Sequence, residues 1–74
     1  MEIKEFIEKF AEEVEIENTE TLNEKTKFRE LEEWSSLSVM LAIAFFDENF
    51  GKEVNNTDIS NCDTFEDLYK LAIK

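Results

Sequence analysis

Glu33-Trp34-Ser35-Ser36-Leu37-Ser38-Val39-Met40 carries the chain from a polar loop into its most apolar run. No charged residue occurs from Leu37 to Phe46, although 36% of the sequence is charged. Serine at such a boundary starts helices, because its side-chain oxygen can accept a hydrogen bond from an early backbone N–H. Ser35 is therefore the expected N-cap. Ser36 then falls in the first turn, beside free N–H groups and the positive end of the helix dipole, where a phosphate is held at low cost. On spacing alone, both serines read most simply as caps.

Downstream, the apolar run predicts a helix from Ser35 or Ser36 to Phe50, with Gly51 as its C-terminal cap. Its apolar residues form two stripes. Val39, Ala42, Ile43, Phe46 and Phe50 make one; Leu37, Met40, Leu41, Ala44 and Phe45 make the other. A helix apolar on more than one face is either central or carries an exposed binding face. In a 74-residue domain no helix can be covered on every side. Leu37, Met40 and Leu41 are thus expected to meet a partner, while Phe45 stands between partner surface and core.

Upstream, Ile3, Phe6, Ile7, Phe10 and Val14 recur at helical spacing and predict an amphipathic helix over about Glu2 to Val14. From Glu15 to Glu33 the periodicity fades, and Asn18, Thr19, Thr21 and Asn23 favour loop. So long a connection needs pinning to the core. Leu22, Phe28 and Leu31 are the candidates, with Phe28 and Leu31 in one short helical turn and Trp34 closing the end.

Beyond Gly51, Val54 and Ile59 are expected to point inward, with a single helical turn near Ile59. A last helix starts at Thr64, with Asp67 three residues on as a partial capping box. Phe65, Leu68, Tyr69, Ala72 and Ile73 repeat at helical spacing. With no proline and one glycine, strands joined by tight turns are disfavoured. The expected fold is all-α: one domain over residues 1–74, a four-helix bundle with a long first loop and a short third helix.

Nineteen acids against eight bases leave a formal net charge of −11. Nucleic acid and anionic membranes would repel this chain, whereas a basic partner surface would attract it. There is no histidine, so the commonest acid–base and metal chemistry is missing, and Cys62, the one cysteine, has no histidine beside which to act. No glycine-rich phosphate loop or calcium loop occurs. The run from Trp34 to Phe46 is too short to span a bilayer, and charges at Glu2, Lys4 and Glu5 interrupt any leader pattern. A cytoplasmic protein without its own catalytic activity is expected.

The order of these parts resembles the acyl carrier proteins over essentially the whole chain. An acidic first helix precedes a long loop with Phe28 and Leu31. Trp34-Ser35-Ser36-Leu37 opens an apolar helix that ends Phe46-Asp47-Glu48-Asn49-Phe50-Gly51, and a short turn leads to Thr64-Phe65-Glu66-Asp67-Leu68. The signature of that family is Asp-Ser-Leu at the start of its second helix. Its serine carries a 4'-phosphopantetheine arm, attached from coenzyme A by a magnesium-dependent transferase.

The resemblance implies Ser36 as the attachment site and Leu37 as the leucine after it. It implies a monomeric carrier of acyl thioesters that meets a phosphopantetheinyl transferase and acyl-loading, acyl-transfer or synthase enzymes. Those enzymes would serve a fatty-acid, polyketide or other specialised pathway. Leu37, Met40 and Leu41, rimmed by Asp47 and Glu48, are the expected docking surface. Two positions depart from the family pattern: Ser35 stands where aspartate is usual, and Leu41 stands where many fatty-acid carriers have an acid. Trp34 before the motif is more similar to stand-alone carriers of specialised or D-alanyl pathways. The competing expectation is an unmodified acidic interaction module with the same fold.

Overall fold

The computed structural model describes residues 1–17 and 19–74; Asn18, read as part of the loop, lies outside them. Four helices follow in order: α1 (Ile3–Glu13), α2 (Ser36–Phe50), α3 (Asn56–Ser60) and α4 (Phe65–Ile73). A 3-10 turn, Phe28–Glu30, interrupts the long first loop. The architecture is an all-α bundle, and no strand occurs among the described residues.

The core is aromatic. Phe6, Phe10, Phe28, Phe45, Phe46 and Phe65 are all buried. Phe10 lies near the centre, edge-on to Phe45 at 5.4 Å and to Phe65 at 5.8 Å between ring centroids. Edge-to-face pairs set the positive ring edge against the negative face, adding about 0.5–1.5 kcal/mol each beyond area burial. Phe6 meets Tyr69 in the same way at 5.4 Å, joining α1 to α4.

α1 ends in a device the periodicity does not reveal. Glu15 adopts a left-handed conformation (φ 63°). Its N–H bonds the Glu12 carbonyl at 3.3 Å, and the Ile16 N–H reaches back to Ala11 at 2.8 Å. This is a Schellman arrangement, with Glu15 where glycine is favoured. It turns Ile16 into the core, where Ile16 is buried beside Val14. Gly51 ends α2 in the same region of backbone space (φ 61°), as expected from its position.

The long loop is pinned by side chains and by backbone. Phe28 is fully buried, and Leu22, Leu31 and Trp34 pack half-buried against the core. The loop also receives the free amides that start α4: the Phe65 N–H donates to Thr26 and the Glu66 N–H to Glu24, at 3.2 and 3.0 Å. Arg29 pairs with Asp63 across the same junction. The capping box of α4 is complete, since Thr64 accepts from the Asp67 N–H at 3.2 Å while the Asp67 carboxylate accepts from the Thr64 N–H. Two backbone amides, those of Asp63 and Thr64, hold the Asp67 carboxyl below its ordinary value. α3 carries a capping box of its own, between Asn55 and Asp58.

Candidate functional site

The site begins at the junction of the loop with α2. Ser35 is the N-cap, in extended conformation, and Ser36 is the first helical residue. The Ser35 side chain faces the Ser38 amide in capping-box fashion, but the well-formed bond is the reciprocal one: the Ser35 N–H donates to the Ser38 hydroxyl at 3.0 Å. The Ser38 hydroxyl in turn donates to the Glu33 carbonyl at 3.2 Å. Ser38 is only 2% exposed, a polar residue on the buried face of α2.

Ser36 is exposed, and its hydroxyl bonds no other described residue. No acid occupies the first turn of α2. The partial positive charge of the leading amides is therefore uncancelled by a carboxylate on that turn. A phosphodiester on the Ser36 Oγ fits this corner: it has room, an anion-favouring helix end and no like charge on the same turn.

Beside Ser36, Leu37 is 55% and Met40 67% exposed, among the largest apolar exposures in the chain. Leu41 differs. It is half-buried and packs against the core, so it contributes only an edge to this surface. Phe45, which stood between two expectations, is core at 1% exposure. The outward stripe is accordingly Leu37, Met40 and Ala44, running toward exposed Asp47 and Glu48. Helical geometry places Asp47 about 16 Å along the axis from Ser36. A shallow groove of about 430 Å³ flanks the stripe, lined by Met40, Ile43, Ala44, Asp47, Lys52, Glu53 and Val54.

The buried line of α2 (Ser38, Ala42, Phe45 and Phe46) runs between the two stripes read from the sequence. Ser38 was missed as part of that face because serine gives no apolar signal. Its only trace is the spacing Ser35-x-x-Ser38, a weak form of capping box.

Other features lie apart. A groove of about 410 Å³ between α1 and the long loop rests on Ile3, Ile7 and Leu22 and holds none of these residues. Cys62 is buried, with its thiol near the Asp58 carbonyl at 3.5 Å. Burial first, and the nearby Asp67 next, push its pKa upward, against thiolate chemistry. Among the described residues, no three acidic, cysteine or histidine side chains converge as a metal site, and no helix is long and apolar enough to cross a membrane.

No protein-family model, curated protein or solved structure matches the chain.

Proposed function

We propose that this chain is an acyl carrier protein, bearing acyl groups as thioesters on a 4'-phosphopantetheine arm joined to Ser36. The observation that carries the reading is Ser36 itself: a free, exposed hydroxyl at the first position of an acid-free helix turn, beside an outward apolar stripe. When bound, the arm would supply a thiol for thioester formation. The chain's own residues would do three things. Ser36 would anchor the phosphate, and the leading amides of α2 would favour its charge. Leu37 and Met40 would offer partner enzymes an apolar contact next to the arm, while Asp47 and Glu48 would steer basic partners from the far end of the helix. The net charge of −11 adds to that steering.

Partners under this reading are a phosphopantetheinyl transferase and the enzymes that load, transfer or extend the acyl group. Catalysis belongs to them and the carrier works as a soluble cytoplasmic monomer. An unmodified interaction module is the alternative, favoured by the same exposed Leu37 and Met40 without need of Ser36. Incubation with coenzyme A, magnesium and a broad-specificity transferase, followed by intact-mass measurement, separates the two. Gain of one phosphopantetheine supports the carrier; an unchanged mass supports the module.

A further inference from the structure

Ser38 stands out once Ser36 is read as the attachment point. It is the one buried polar residue among the described residues, and both of its firm hydrogen bonds go to backbone just before Ser36. The Ser35 N–H donates to its Oγ at 3.0 Å, and its Oγ–H donates to the Glu33 carbonyl at 3.2 Å. The Ser35 hydroxyl lies 3.4 Å away on the same oxygen. One buried hydroxyl thus ties residues 33 and 35 to the first turn of α2.

We infer that Ser38 is a positioning residue for modification of Ser36: it locks the peptide leading into Ser36 and so fixes the backbone from which the Ser36 side chain projects. This rests on the carrier reading. In the reaction, the Ser36 Oγ–phosphorus bond forms and the pyrophosphate P–O bond of coenzyme A breaks. The nucleotide half leaves with its own phosphates, and the hydroxyl proton passes to the transferase. A nucleophile supplied by one protein to another's active site must hold its direction, because a misplacement near 1 Å costs on the order of 100-fold in rate. Ser36 lies at an exposed corner, where the cap restrains the backbone between the packed Trp34 and the helix. Ser38 is buried on the core-facing side of α2, away from exposed Leu37 and Met40, so a docked partner would have no direct access to its side chain. Its loss should therefore leave docking intact.

The test is steady-state modification of wild type, Ser38→Ala and Ser38→Thr by one transferase, read by intact mass over a range of carrier concentrations. The expected result is that Ser38→Ala lowers kcat about tenfold with KM within twofold, a fraction of the full misplacement effect. Ser38→Thr, which keeps the hydroxyl, restores most of kcat. If Ser38→Ala does not fold, Ser38→Cys replaces it, with a kcat drop of roughly threefold, because a thiol is a weaker hydrogen-bonding group. A variant lacking the hydroxyl that melts earlier but keeps wild-type kcat would overturn the inference and leave the carrier reading standing. Wild type that takes no phosphopantetheine would overturn both.

Discussion

The indole of Trp34 stacks on the ring of Phe10, with centroids 6.3 Å apart and planes 19° from parallel. It also meets Phe28 edge-on at 4.7 Å. Two residues before Ser36, the loop is therefore clamped to α1 and to its own 3-10 turn. Trp34→Ala should cost about 2 kcal/mol, less than the 3–5 of a fully buried tryptophan because Trp34 is half-exposed. In a domain of this size that lowers Tm by roughly 8–16 °C. Thermal unfolding checks it; a shift of a degree or two would mean that the clamp is ornamental to stability.

Glu15 holds a left-handed backbone without being glycine. An L-residue there carries a cost of about 1–2 kcal/mol that glycine avoids. Glycine also loses more chain entropy on folding, so Glu15→Gly should stabilise by somewhat less, about 0.5–1 kcal/mol. It also removes one of nineteen acids. Glu15→Gln controls for charge and should give only a small part of the gain. Equal gains from both variants would assign the effect to repulsion instead of backbone.

The α1, α2 and α4 helices, with their caps at Ser35, Gly51 and Thr64, were legible because period and cap chemistry are local signals. Phe28 and Trp34 were legible as pins because large aromatics in a polar loop have few other uses. Ile16 was not, since its burial depends on a left-handed glutamate with no sequence signature. The binding of the loop to α4 through Thr26 and Glu24 uses backbone atoms, which every residue type shares. At the site, Ser36, Leu37 and Met40 lie outward as expected. Leu41 does not stand fully with them, because helical spacing locates a stripe only to within one neighbouring position. Ser38 illustrates the converse: a buried hydroxyl satisfied by backbone has no apolar pattern to betray it.

Met40 and Leu41 are neighbours in sequence but differ in burial, so a charge should separate them. Met40→Glu should change stability by no more than about 0.5 kcal/mol, as at ordinary surface sites. Leu41→Glu should cost roughly 1–3 kcal/mol, because its side chain packs partly on the core. Under the carrier reading both should weaken transfer to a native partner while leaving Ser36 modifiable. Chemical denaturation gives the stabilities; equal losses in the two variants would contradict the placement of Leu41.

The Asp67 carboxyl titrates below its ordinary value of 3.8, chiefly through the Asp63 and Thr64 amides. A carboxylate whose pKa is lowered by folding stabilises above its unfolded value and ceases to do so as pH falls through its folded value. The stability difference between wild type and Asp67→Asn should thus be largest near neutrality and shrink as pH drops below 3.8. Melting curves across that range test it; a difference independent of pH would mean that the charge is irrelevant and only the hydrogen bonds count.

Self-repulsion gives a further expectation. Exposed pairs such as Lys27–Glu30, 3.9 Å apart, offset little of a net charge of −11. Tm should rise with moderate sodium chloride, as screening shortens the range of repulsion to about 8–10 Å. A flat or falling Tm would show that specific ion pairs dominate.

The central claim is that Ser36 carries the arm. Wild type and Ser36→Ala, each incubated with coenzyme A, magnesium and a broad-specificity transferase, should differ by one phosphopantetheine in intact mass. Circular dichroism should show both equally helical, because the Ser36 hydroxyl is exposed. Wild type of unchanged mass, or Ser36→Ala loaded through Ser35 or Ser38, would contradict it.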